Sequence, residues 1–249
     1  MKFLSRIFGT DSTKVNIKRY EKETSKIHTR ANLLVEMGRF DEALIAYEQS
    51  ADMWKKIGDH FSETHDEKMA LEAYRKSTEV RSCKGGLYFR LGKYEDALDS
   101  VDSLLKICPG NALDWSNRGL ALFNLGRHEE AATAFGRALE IDPEFAGAWC
   151  SRGSCLIQLG RYEEAIESFD KARENAEIMD FSFPRFTWVS STSNKELKAD
   201  ISQACYLKGT ALSILGRNKE ALEAFDEALE ARPGYVDAEN ARKKALSHL

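Results

Sequence analysis

The stretch WSNRGLALFNLGRHEEAATAFGRALEIDP, residues 115–143, decides the fold of this 249-residue chain. Its first part places Trp115, Gly119 and Leu122 at spacings of four and three, so the three side chains share one face of a helix. Gly126 follows at a point where glycine readily ends a helix. The sequence therefore predicts a helix that stops at Gly126.

A second helix is predicted directly after this stop. Ala131, Phe135 and Ala138 again recur at spacings of four and three, and they alternate small and large side chains along one stripe. Pro143 then breaks the helix because its ring clashes with the preceding turn. Gly119 on the first helix leaves room for close approach, so we expect the two helices to pack as an antiparallel hairpin.

The same pattern recurs along the chain. Gly92, Gly126 and Gly160 are spaced 34 residues apart, which is the length of a two-helix unit that stacks on its neighbours. The related stretches are 37–50, 91–109, 125–143, 159–177 and 215–233. This period predicts a repeat architecture in which each unit buries its apolar face against the next.

The motif W-x-x-x-G-x-x-L, then L-G-R, then A-x-x-x-F-x-x-A-x-x-x-x-P resembles the tetratricopeptide repeat. The resemblance covers residues 78–233 apart from one insertion, and residues 24–57 more loosely. It implies an all-α fold, a right-handed superhelical solenoid of antiparallel helix pairs with a C-terminal capping helix.

The predicted organisation follows from where the units begin. Units start at Thr24, Thr78, Ala112, Ala146 and Ser202, so two of the four steps are longer than the repeat. The predicted segments are 1–23, a basic and apolar segment with a cap helix; 24–57, a divergent repeat; 58–77, a helical insertion; 78–111, 112–145 and 146–179, repeats; 180–201, an insertion rich in aromatic residues and serine; 202–235, a repeat; and 236–249, a capping helix.

The resemblance also implies a concave groove lined by the first helix of each unit, in which family members commonly hold a peptide or a partner helix. The residues expected to line it are uncharged. They are Leu113, Asn117, Leu120, Asn124, Ser151, Ser154, Gln158, Leu207, Thr210 and Ile214. The carboxylate clamp of some family members is not expected, because Asn117 stands at a suitable place but no lysine accompanies it.

One basic residue precedes the small residue of each first helix, where the family most often has leucine. We expect these cations to extend along the stack as a ladder. They are Arg30, Lys84, Arg118, Arg152 and Lys208.

The insertion at 180–201 contains an aromatic cluster, Phe181, Phe183, Phe186 and Trp188. A soluble protein seldom exposes such a cluster without a use for it. The cluster is expected to act as a lid over the groove or as a brace on the edge of the solenoid, and a disordered insertion is the third alternative.

The sequence contains none of the usual catalytic motifs. There is no phosphate-binding loop, no dinucleotide-binding glycine motif and no nucleophile elbow. The spacing of His60 and His65 does not suit a metal site. We therefore expect a protein that is not an enzyme and that uses no cofactor and no metal.

Composition restricts the partners. The net charge of -4 disfavours bulk binding to nucleic acid, and no apolar run is long enough for a transmembrane segment. Five cysteines without C-x-x-C spacing are expected to be reduced packing residues of a cytoplasmic protein.

The predicted function is a protein–protein interaction adaptor that binds a peptide or helix of a partner in the groove. The alternative is a self-assembling or membrane-adjacent scaffold. It would act through residues 1–12, whose apolar and basic side chains suit a peripheral membrane contact.

Overall fold

The computed structural model describes residues 13–178 and 194–248, and every regular element in these ranges is an α-helix. The chain divides into two compact units, Met1–Ser100 and Val101–Leu249, with α4 crossing the boundary. The helices are α1 Thr13–Glu36, α2 Phe40–Glu63, α3 Glu67–Arg90, α4 Tyr94–Ile107, α5 Ala112–Asn124, α6 His128–Ile141, α7 Ala146–Gln158, α8 Tyr162–Ile178, α9 Asn194–Ile214, α10 Asn218–Ala231 and α11 Val236–Leu246. The all-α prediction is confirmed.

The second unit is a stack of antiparallel helix pairs. The pairs are α5 with α6, α7 with α8, and α9 with α10, and each first helix also contacts the second helix of the pair before it. The first helices α5, α7, α9 and α11 lie beside one another in that order. Consecutive pairing of this kind is the tetratricopeptide-type stack that the sequence predicts.

α11 closes the second unit. It packs on α10 as the first helix of another pair would, and it buries Ala238 and Ala245. Its exposed positions are mostly polar, among them Asp237, Lys243 and Lys244, although Val236 and Leu246 are exposed as well. The position of α11 agrees with the predicted capping helix.

A glycine lies under an aromatic ring in every pair of the second unit. A methyl group on Gly119, Gly153 or Gly209 would lie 2.7, 2.7 or 2.5 Å from the ring of the partner phenylalanine, which is closer than real side chains approach. The partners stand sixteen positions later: Phe135, Phe169 and Phe225. These three rings are fully buried, so the predicted close approach at Gly119 is confirmed.

In the second unit, ion pairs join one helix pair to the next. We call the line along which a second helix meets the following first helix the seam. Arg118 donates to Asp102 at 2.8 Å and Lys208 contacts Asp170 at 2.6 Å. Arg242 pairs with Asp226 in the same way. These side chains keep between a fifth and a half of their exposure, so each pair stabilises the fold by about 0–1 kcal/mol. Their main consequence is to fix which side chains meet across the seam.

The first unit contains a repeat of a different length. The Ser50 hydroxyl donates to the carbonyl of Thr24 at 3.3 Å, and the Ser77 hydroxyl donates to the carbonyl of Ala51 at 2.8 Å. The donor and the acceptor of the second hydrogen bond each lie 27 positions after those of the first. Within the first unit the same contact is therefore made twice.

Two further contacts follow the 27-residue spacing. The Tyr47 hydroxyl donates to Asn32 at 2.7 Å, and 27 positions later the Tyr74 hydroxyl donates to Asp59 at the same distance. Gly58 lies under the ring of Tyr74, where a methyl group would be 2.7 Å from a ring carbon. The glycine–aromatic contact of the second unit is thus present here as well.

These contacts change the interpretation of residues 58–77. The sequence predicts a helical insertion there, but the stretch holds the end of α2, a turn and the start of α3. We interpret 51–77 as a shortened repeat, in which a 24-residue helix serves as the second helix of one pair and the first helix of the next. The predicted cap helix is likewise continuous with the first repeat helix, because α1 runs unbroken through residue 24.

His65 occupies a glycine position of this shorter repeat. Gly38 and Gly92, 27 residues before and after it, end their turns with φ near +73° and +71°. His65 adopts φ +60°, the left-handed region that disfavours residues with a side chain. The turn between α2 and α3 therefore stores backbone strain.

We predict that alanine has opposite effects at two helical glycines of the second unit. Gly153→Ala forces a methyl group against the Phe169 ring and should lower the free energy of unfolding by about 1–3 kcal/mol. Gly136→Ala meets no atom within 4 Å and should raise it by about 0.5–1 kcal/mol. Urea unfolding measures both, and equal effects would contradict the packing role of Gly153.

His65→Gly should stabilise the first unit by roughly 0.5–1 kcal/mol, because relief of the left-handed strain exceeds the entropy that glycine adds to the unfolded chain. Thr64→Gly is the matched control. Thr64 has φ −93° and its hydroxyl donates to the carbonyl of His60, so the control should be destabilised. A thermal melt of each variant checks the sign, and destabilisation by both would refute strain at His65.

Candidate functional site

The candidate site is the face of α5, α7 and α9 that carries the ten predicted groove residues. All three helices belong to the second unit, and α7 contacts both α5 and α9. Because they are neighbours, their side chains form one surface rather than three separate ones. We call this surface the groove row.

Nine of the ten residues in the groove row reach the surface. Asn124, Gln158 and Ile214 are exposed, and Ile214 keeps 54% of its accessible area. The half-buried members are Leu113, Leu120, Ser151, Ser154, Leu207 and Thr210. The row thus offers apolar and small polar groups, without charge, over three neighbouring helices.

Asn117 differs from the rest of the row. Its side chain is only 1% exposed, and it already takes part in an interaction within the chain. A buried amide with a partner contributes to folding, and removing it costs stability. A ligand contact at Asn117 therefore remains a prediction, and substitutions at this residue mix folding with binding.

Two hydroxyl groups of the row use their donors within their own helices. The Ser154 hydroxyl donates to the carbonyl of Cys150 at 3.1 Å, and the Thr210 hydroxyl donates to the carbonyl of Tyr206 at 2.9 Å. Each hydroxyl oxygen keeps lone pairs that can accept a further bond. The row consequently presents hydrogen-bond acceptors, which suit the N–H groups of a peptide backbone.

Leu207 connects the row to the core. It packs against a cluster that contains Leu156 and Phe169, so part of its side chain supports the stack. Ile214, in contrast, keeps 54% of its accessible area. The row therefore contains residues tied to the fold and residues available for contact with a ligand.

Asp114 lies beside Leu113 on α5 and is 6% exposed. Burial raises the pKa of its carboxyl to about 6, although a hydrogen bond from Asn111 at 2.8 Å opposes the shift. The equivalent positions of the later pairs hold buried alanines: Ala148, Ala204 and Ala238. Sequence reasoning missed Asp114, and its signal is a carboxylate at a position where the other first helices have a small apolar residue.

Cys155 and Cys205 of the second unit show no features of a nucleophile. Burial raises the pKa of Cys155 to about 12 and that of Cys205 to about 11. A thiol in that state is not ionised at neutral pH and reacts poorly. The five cysteines are free thiols; Cys155 and Cys205 are buried as the predicted packing role requires, whereas Cys83 and Cys108 are exposed and do not have that role.

Residues 13–178 and 194–248 contain no group of three or more His, Cys, Asp or Glu side chains able to hold a metal ion. No helix in these ranges is long and apolar enough to span a membrane. Both statements apply only to the described part of the chain.

Two predicted features lie outside the described residues. The first is the lid or brace of Phe181, Phe183, Phe186 and Trp188. The second is the membrane-adjacent or self-assembling segment at residues 1–12. Both stay predictions.

Comparison with known proteins agrees with the geometry. Models of the tetratricopeptide-repeat family match residues 116–177 and 202–235. No curated protein sequence matches the chain.

Solved structures with the same fold include YrrB, with a TM-score of 0.59 at 20% identity over 94% of this chain and 98% of YrrB. A structure of MamA gives a TM-score of 0.57 at 20% identity over 86% of this chain and 96% of MamA. MamA from Desulfovibrio magneticus RS-1 gives 0.53 at 19% identity, over 69% and 90%. At these identities the likeness establishes the fold alone.

We predict that Asp114 makes the second unit less stable as the pH rises. Its folded pKa of about 6 exceeds the ordinary value of 3.8, so the folded state binds the proton more tightly. The stabilisation is complete below pH about 4 and is lost as the pH rises through about 6. Relative to Asp114→Asn, wild type should lose up to roughly 3 kcal/mol across this window.

Urea unfolding of both proteins at several pH values between 4 and 8 measures this difference. Asn111→Ala serves as a second variant: it removes the hydrogen bond that favours the ionised carboxyl, so the window should move to higher pH. Parallel pH profiles for wild type and Asp114→Asn would show that Asp114 does not carry the effect.

Proposed function

Because this chain is a tetratricopeptide-repeat protein, we propose that it is a non-enzymatic adaptor that binds a segment of a partner protein on the groove row. The observation that carries the proposal is the row itself. Nine uncharged side chains on three neighbouring helices remain at least partly exposed. Adaptor function needs a surface of this kind and no reactive group.

The chemistry of the row indicates what the ligand contains. Leu113, Leu120 and Ile214 provide apolar contacts, and Ser154 and Thr210 provide acceptors after their own donors are used. A charged ligand side chain would lose its hydration here without gaining a partner. We propose an uncharged segment, extended or helical, with apolar anchors and free N–H donors.

The ligand class has a precedent among proteins of the same fold. YrrB is a tetratricopeptide-repeat protein with a peptide-binding site. We propose a peptide or helix of a partner protein as the ligand of this chain, bound on α5, α7 and α9. We further propose that the protein is cytoplasmic, since all five of its cysteines are free thiols.

The proposal is tested with a charge placed on the row. Ile214→Glu puts a carboxylate on an exposed row position, so folding should be unaffected while a neutral ligand loses about tenfold or more in affinity. Partners are captured from extracts of the source cells by wild type and variant. Peptides from the captured proteins are then measured by fluorescence anisotropy.

Thr133→Glu is the matched control. Thr133 is also exposed but lies on the second helix α6, outside the row. The control should bind its peptide as wild type does. Loss of binding by both variants, or by neither, would refute the groove row as the binding surface.

A further inference from the structure

A second surface of the same unit carries an incomplete ion pair. Along the seam, each acid stands directly after the buried residue that faces the first helix: Asp102 follows Val101, and Asp170 follows Phe169. These acids pair with Arg118 and Lys208 of the next first helix. Asp226 and Arg242 follow the same rule at the end of the stack.

The rule fails between α6 and α7. Position 136, directly after Phe135, holds glycine where the other second helices hold an aspartate. The cation that corresponds to it is Arg152, which has no acid across the seam. It donates instead to the hydroxyl of Ser168 in its own pair, at 3.0 Å.

Glu164, an acid whose pKa is lowered by a hydrogen bond from Arg161 and also by the charge of Arg152, is already engaged. Arg161 binds both of its oxygens, at 2.6 and 2.7 Å. Ser168 is a neutral partner, so it does not balance the charge of Arg152. Within the described part of the chain, the guanidinium also lies near the ring of Trp149, whose centre is 5.9 Å away.

The space next to Gly136, where a side-chain carboxylate would stand, is not filled by other atoms of the chain. A methyl group built on Gly136 meets no atom within 4 Å, and Gly136 is partly exposed. The seam therefore has a notch between Gly136 and Arg152, with a cation at one side and space where its partner stands in the neighbouring pairs.

We propose that this Gly136 notch binds the carboxylate side chain of an Asp or Glu residue from a partner protein. The three complete pairs show that the seam position accepts one carboxylate beside one cation. A phosphate dianion fits less well, because a single guanidinium faces it and Glu164 adds a negative charge nearby. The notch is separate from the groove row and does not depend on it.

The ligand would bring the negative charge, and the notch would fix where that charge is bound. An arginine can hold a carboxylate through two parallel N–H bonds, which orients the side chain that carries it. A partner helix with one acidic residue at the right place would thus be held on the seam between α6 and α7. The neutral groove row selects a different chemistry, so the two surfaces would recognise different segments.

NMR of the arginine Nε–Hε group tests the notch. The Arg152 signal, assigned from its loss in Arg152→Gln, is followed as N-acetylglutamate α-amide is added to the full chain. A saturable shift of this signal is expected, and the neutral probe N-acetylglutamine α-amide should produce no such shift. Equal shifts with both probes would overturn the proposal.

Gly136→Asp supplies the matched variant, since it restores the aspartate of the other seams. Its Arg152 signal should already lie near the bound position, and its affinity for the glutamate probe should fall by about tenfold or more. Gly136→Asn, of the same size but neutral, should leave the free Arg152 signal unshifted.

A Gly136→Asp protein that binds the probe as wild type does would overturn the proposal. If Gly136→Asp fails to fold, the proposal is tested with Arg152→Gln and a second measurement. The probe is then carried on a relaxation label, and broadening of the signals around Gly136 is measured. Broadening should disappear in Arg152→Gln, and its persistence would show that Arg152 does not bind the carboxylate.

Discussion

The contact between a glycine and an aromatic ring sixteen positions later governs the structure of both units. At Gly119 and Phe135 the absence of a side chain lets the ring lie directly on the backbone of the first helix. This approach sets the distance between the two helices of a pair, and the packed interior leaves little freedom to change it. The remaining buried residues, mostly alanines and leucines, fill the space that this distance leaves.

The same contact explains how two repeat lengths coexist in one chain. In the second unit a short linker, such as Asp142–Phe145, separates one pair from the next, and the unit length is 34 residues. In the first unit the linker is missing, so a 24-residue helix serves two pairs. The sequence predicts the pairs because their periodicity is local. The shared helix was not predicted, since tertiary contacts such as Ser50–Thr24 and Ser77–Ala51 are what reveal the shorter period.

The sequence predicts which side chains of the candidate site point outward, but it does not predict how deeply each one is buried. Helical geometry identifies which residues of α5, α7 and α9 point away from their partner helices, and nine of the ten reach the surface. It does not tell what covers a given side chain, so the burial of Asn117 was missed. Asp114 was overlooked for a related reason. A carboxylate is ordinarily assigned to the surface, and the spacing of residues along α5 does not show that Asp114 is buried.

The charges and the neutral surface of the second unit have different physical tasks. Ion pairs such as Arg118–Asp102 lie on the seam, where a mismatch between pairs would leave a half-buried charge without a partner. They therefore favour one stacking register at little net gain in stability. Because the register is fixed at the seam, the groove row need not contribute charge to it. Residues such as Thr210 and Ile214 can then differ in chemistry without altering the stack, whereas Leu207 and Asn117 cannot, since both are partly or wholly within the packed interior. Under the proposed function, the ligand preference of the row would accordingly be set by its exposed members, and the shape of the row is set by the buried ones.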